Sequence, residues 1–442
     1  MLYKKILFFL FLLQIIFFVS CFDGFKDKKE DYNYPEYNTD VIWEMQTHFT
    51  SEYPNFFQDK NYLYCSEKTE NNKKNGFLSK INLSDGSYVW KSEEFPFSDL
   101  GSAPLVVGEY VFVRIKGGDV DDCMYVFSKD SGKILAVIQL WITDDDRDNL
   151  QSTIYMVSYN NTIYWAGYGL FKFDISKIDF SISSKEIQLI VPERIWYDNN
   201  NYLNISMHPV FYDNVMYFQT LDLYGYNEGK TTRSKVVAYD IERETELWHY
   251  DCKKLYGYGF ENMIILNDRL YTIEQGIGCF DLKTGKCYYE HFQTTEDLMH
   301  EDTISGGLDS PGIAYNNGKF FYTNTANWSS SPITGIPQKN LHNIICLDAK
   351  TLKMVWGQMP KGSGSQSVCP TVMNGKVFVP LWLQGLCVLD ETSGRVLGID
   401  TSIISLGYAK SFSYSGVAYF MDYSNARFLD KPNNTRLIAI RP

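Results

Sequence analysis

The chain has 442 residues, 45% of them hydrophobic and 16% aromatic, with 33 Tyr and 29 Phe. That is enough apolar material for a large packed core and too much for a disordered chain. Its 53 acidic and 41 basic side chains leave a net charge of −12, which argues against nucleic acid or anionic lipid headgroups as partners, since both call for clustered Lys and Arg.

The first predicted element is a leader. Lys4 and Lys5 precede an apolar run from Ile6 to Val19, and Ser20 then stands directly before Cys21. The run falls short of the ~20 residues that a membrane-spanning helix needs, so residues 1–20 read as a secretory signal peptide. The stretch Phe18-Val19-Ser20-Cys21 resembles the bacterial lipobox, with Phe where Leu is usual, and that resemblance implies lipidation of Cys21. No later stretch is long and apolar enough to span a bilayer as a helix, so membrane attachment is expected at Cys21. Loss of Lys4 and Lys5 with the leader moves the net charge to −14. Residues 22–39 are dense in charge, carry one proline and show no strand or helix period. With Cys21 they read as a flexible tether, 21–39.

From residue 40 to 442 the chain repeats itself. Residues 80–90, 237–248, 278–289, 346–356 and 388–398 share one frame, with weaker copies at 125–136 and 170–177. Apolar residues alternate up to an Asp such as Asp240, Asp281, Asp348 or Asp390. A glycine such as Gly86, Gly132, Gly285 or Gly394 closes the turn, and alternation resumes toward an aromatic. Asp starts turns by bonding its own backbone, and Gly supplies positive φ, so each copy is a β-hairpin. A second strand pair with its own turn signal lies upstream, as in residues 101–114, 207–218, 310–322 and 369–379. Two hairpins make a four-stranded unit, and such units stacked around an axis make a propeller.

Seven units have a recognisable last hairpin. Residues 411–420 and 436–440 begin an eighth that lacks its outer strand, and Asp40–Gln46, with Trp43, reads as an outer strand with no hairpin before it. The expected fold is therefore all-β, an eight-bladed propeller closed by its N-terminal strand, with seven blades as the alternative. The recurring Trp43, Trp90, Trp248, Tyr289 and Trp356 are expected to fill the space between blades.

These residues carry a family resemblance. The Asp, the Gly and the Trp of the last strand resemble the PQQ-like propeller repeat, and the likeness covers nearly all of residues 40–442. One branch of that family comprises quinoprotein dehydrogenases, which hold PQQ and calcium and have an adjacent pair of disulfide-linked cysteines; this chain has no adjacent Cys-Cys. The other branch is a non-catalytic lipoprotein of the outer-membrane β-barrel assembly machinery, whose leader, tether and eight blades match this layout. That resemblance implies a lipid-anchored scaffold on the outer membrane, with no cofactor and with envelope proteins as partners. A surface glycan- or small-molecule-binding propeller is the alternative.

The sequence holds no local catalytic motif. The six histidines are scattered, and His300-Glu301-Asp302 reads more simply as a solvated loop than as a cation site. Cys279 and Cys287 flank a predicted tight turn and could pair across it, although buried thiols are the preferred reading. Long links at 191–204, 221–234, 293–309 and 324–343 belong to the two connection classes that emerge on one face. They carry Trp196, Tyr197, Tyr224, Tyr226 and Trp328, the candidate contact residues for a partner or glycan.

Overall fold

The computed structural model describes residues 34–48, 56–69, 75–96, 103–115, 123–140, 156–167, 169–197, 203–205, 209–222, 234–252, 263–273, 276–292, 313–323, 344–358, 360, 370–381, 385–403, 411–422 and 435–441. These form eight separate antiparallel blades of four strands, some with an added edge strand, arranged in chain order. The first strands of neighbouring blades adjoin, as Ala314–Asn316 and Thr371–Met373 do. The eighth blade takes Phe412–Tyr414, Val417–Asp422 and Thr435–Arg441 from the C-terminal end and Asp40–Thr47 from the N-terminal end, which excludes the seven-bladed alternative.

Because each blade is covered on both sides, its central strands carry apolar residues on both faces. In Ile344–Asp348, Ile344 and Cys346 pack toward blade 7 while Ile345 and Leu347 pack toward blade 5. Eight apolar clusters result, one at each interface between blades.

The repeated frame is a third-to-fourth-strand turn. The Oδ1 atoms of Asp281, Asp348 and Asp390 accept the amides of the residues two and three positions on, together with the following hydroxyl of Thr284, Thr351 or Ser393. The next residue adopts positive φ, as Gly285 does at 67°. A tryptophan from the preceding blade then lies on that glycine. Trp43, Trp248 and Trp356 dock on Gly86, Gly285 and Gly394 so closely that a Cβ would stand 2.5 Å from the ring, and Trp90 covers Gly132 in the same way. Each indole Nε1 donates to a turn carbonyl, Trp43 to Leu83 at 3.2 Å and Trp356 to Glu391 at 3.0 Å. The tryptophans thus fill interblade space, as the repeat led us to expect.

A β-bulge precedes the aromatic position in every blade but the third, where it follows, at Ile195. Phe280 pairs with Cys287 and Cys279 with Tyr289, leaving Tyr288 unpaired. Val89, Leu247 and Val355 are the equivalent unpaired residues, which is why these apolar side chains face solvent. The bulge also settles Cys279 and Cys287. Their side chains belong to different interfaces, the first facing blade 6 and the second blade 4, and the two are not joined in a disulfide.

Four interfaces depart from the tryptophan-on-glycine arrangement. Ala136 stands at the aromatic position in blade 2, Glu193 in blade 3, Tyr289 in blade 5 and Gly398 in blade 7. At Gly398 the chain's own N-terminal segment moves in. A Cβ there would stand 2.6 Å from the Pro35 carbonyl, and Tyr37 packs into the cluster between blades 7 and 8. Tyr37 N donates to Ile399 O and Ile399 N to Pro35 O, both at 3.1 Å. Thr39 donates to Asp400 Oδ2 from its amide at 3.0 Å and from its hydroxyl at 2.6 Å. Residues 34–39, read from the sequence as tether, are therefore part of the folded body.

Candidate functional site

Strands alternate in direction within a blade, so second-to-third connections and interblade links leave on one face and the remaining turns on the other. Of the candidate contact residues, Tyr224, Tyr226 and Trp328 lie outside the described residues, as do Cys21 and the His300–Asp302 stretch. Trp196 corrects the expectation. It ends the outer strand Glu193–Trp196 of blade 3, is 7% exposed, packs edge-to-face on Phe218 and donates from Nε1 to Glu246 at 3.0 Å. A side chain so placed holds blades 3 and 4 together and offers nothing to a partner. Tyr197 next to it is 50% exposed, with the Arg194 guanidinium over its ring at 5.0 Å.

The sequence reading missed a strand in this region. Between Asp174 and Glu193 the chain makes a short 3₁₀ turn, Ile175–Lys177, and then Ile187–Ile190, which pairs in parallel with Ile134–Leu140 and becomes the outermost strand of blade 2. Unlike the core strands, it alternates between an inward and an outward face. Gln188 and Ile190 face inward, and Gln188 holds the Asp179 backbone through paired hydrogen bonds of 2.8 and 2.9 Å. Ile187, Leu189 and Val191 face outward and are 55%, 59% and 64% exposed. Three large aliphatics in a row on an edge strand are unusual for a water-facing sheet, where charge or proline normally blunts the edge. The signal in the sequence is the run Ile187-Gln-Leu-Ile-Val191, which leads into the 191–204 link.

Among the described residues no group of three or more His, Cys, Asp and Glu is placed to hold a metal. The described thiols are buried or half-buried, and burial pushes those of Cys65, Cys279, Cys346 and Cys387 up, away from the reactive thiolate form.

No family model and no curated protein matches the chain. Solved structures do. BamB from Moraxella catarrhalis aligns over 91% of this chain and 98% of its own, at 9% identity and a TM-score of 0.54. A europium-containing methanol dehydrogenase aligns over 91% and 93%, at 10% identity and a TM-score of 0.60. The fold shared with these proteins is the eight-bladed β-propeller. A computationally designed protein, Ika8, matches this propeller over 91% of the chain at 9% identity and a TM-score of 0.54. Likeness at this level therefore carries the fold alone, and the propeller's function has to be argued from its surface.

Proposed function

We propose that the mature chain is a lipid-anchored, non-catalytic propeller scaffold that binds envelope proteins at the outer membrane, with the β-barrel assembly machinery as its partner. The observation that carries this reading is the apolar edge strand Ile187–Ile190. An open sheet edge offers backbone donors and acceptors to an incoming strand, and the outward Ile187, Leu189 and Val191 give that strand an apolar face to cover. The leader, the lipobox-like Phe18–Cys21 and the eight-bladed layout support the same reading, as does the presence of BamB among similar folds. Tyr197, Tyr224, Tyr226 and Trp328 are the further contact candidates, and Cys21 the lipid attachment point.

The test is site-specific photo-crosslinking in intact cells from position 189, with position 355 as control. Val355 is similarly exposed, at 45%, but belongs to blade 6. Barrel-assembly proteins captured from position 189 and absent from position 355 are the expected result, together with loss of capture in Leu189→Asp. Capture of nothing from position 189 in a lipidated, folded protein removes the edge from the reading. Mass spectrometry of the mature N-terminus tests the anchor, which Cys21→Ser should abolish.

A further inference from the structure

The interface between blades 3 and 4 lacks the arrangement that closes four of the others. Glu193 pairs with Lys172 at the position where other blades carry the indole, and Glu244, with φ of 54°, stands where they carry glycine. The Lys172 ammonium bonds Glu244 and lies 3.4 Å from Glu193. Burial pulls that ammonium down, but the bond and charges of the two glutamates outweigh it, and the Lys172 pKa is raised. Three polar side chains thus stand at the ring's usual position, while Trp196, three residues on from Glu193, packs on Phe218 instead. A cleft of about 350 Å³ remains, lined among others by Tyr159, Tyr164, Lys172, Lys177, Glu193 and Glu242.

Around the cleft the two blades are tied together, Trp196 donating to Glu246 across the interface and Tyr239 Oη to Ile195 O at 2.9 Å; of the lining itself, Tyr159 is hydrogen-bonded to Asn214. A preformed recess of this size sits at the lower end of the ~300–1,000 Å³ range of small-molecule sites, room for one ring and not for a chain of them. Its lining mixes both signs. The carboxylates of Asp174, Glu193 and Glu242 accept, the ammonium groups of Lys172 and Lys177 donate, and the tyrosines offer an apolar ring with a polar tip. A simple cation would meet Lys172 and Lys177, and a simple anion would meet the glutamates. A neutral ring bearing several hydroxyls satisfies both, because each hydroxyl donates and accepts.

We propose that the cleft between blades 3 and 4 binds a single neutral monosaccharide ring. The site is independent of the partner surface described above.

The probes are glucose, galactose, mannose and N-acetylglucosamine, titrated into the full chain by calorimetry and saturation-transfer NMR, with methylammonium and acetate as charged controls. Saturable binding of at least one sugar, and of neither ion, is expected. The decisive variant is Glu193→Trp with Glu244→Gly, which rebuilds the docked ring found at the other interfaces. It should melt at a higher temperature and lose sugar binding altogether. Glu242→Ala, at an exposed position, is the second variant and should weaken binding about tenfold. No binding of any of the four sugars to the folded protein, equal binding by the filled variant, or binding of the ions in place of the sugars would each overturn the proposal.

Discussion

Two demands meet at the glycine of each tryptophan-docked turn, positive φ and the absence of a Cβ. They can be separated. Gly416, at φ +78°, has open space where a Cβ would go, whereas at Gly285 the Trp248 ring occupies that space. Gly416→Ala should cost about 1–2 kcal/mol for the left-handed backbone. Gly285→Ala adds an overpacking term of about 1–3 kcal/mol. Urea midpoints for the two variants measure the difference, and equal losses would mean that the indole adapts. The same logic accounts for Glu244 and Leu352, which take the left-handed position in two of the described third-to-fourth-strand turns. At the register position of the indole, the outer strand packed against each carries Glu193 or Tyr289. Both halves of this correspondence were visible in the sequence. Their connection was not, because it joins side chains of different blades. Cys279 and Cys287 were likewise visible as a pair, and only the unpaired Tyr288 between them turns the thiols to opposite faces.

Among the strands, Asp40–Thr47 was legible because Trp43 marks it as the outer strand of a repeat whose hairpin is missing. The segment before it was not legible, since charge and a proline mask the one informative spacing, Tyr34 and Tyr37. Blade 3 was obscured for a related reason. The inserted edge strand displaces Glu193–Trp196 far from Asp174, so that an outer strand reads as loop and its buried Trp196 as a surface aromatic. The Thr39–Asp400 attachment makes a prediction of its own. Burial alone would raise the Asp400 carboxyl, but the hydroxyls and amides of Ser402 and Thr39 hold it below the ordinary aspartate value of 3.8. A depressed carboxylate stabilises the folded state above its unfolded pKa and loses that contribution as pH falls through its folded value. Residues 34–39 should therefore stay protected through pH 5 and begin to exchange amide hydrogens only below the ordinary aspartate range. Asp400→Asn should show that exchange already at neutral pH. Protection in the variant equal to that of the parent chain would assign the attachment to the Tyr37 and Pro35 backbone bonds instead.

For the molecule as a whole, blade number and closure followed from one short frame repeated along the chain, since every copy solves the same problem of covering a sheet on both faces. Surface function did not follow, because the frame is silent about the insertions that interrupt it. Deleting residues 34–47 should leave Thr435–Arg441 as an uncovered edge, with concentration-dependent association in sedimentation experiments as the expected outcome. Closure also has a history in time. Thr47 and Thr435, joined side chain to side chain at 2.9 Å, are 388 residues apart. At ~5–20 residues per second a ribosome takes roughly 20–80 s to cover that distance, and the first strand made waits throughout for the last. Blade 7 is finished before the C-terminal strands of blade 8 are made, and Asp400 is already available to Thr39 then. A nascent chain can moor its first strand beside the gap that its final residues will fill, so that the ring's longest search is shortened before its last partner has been synthesised.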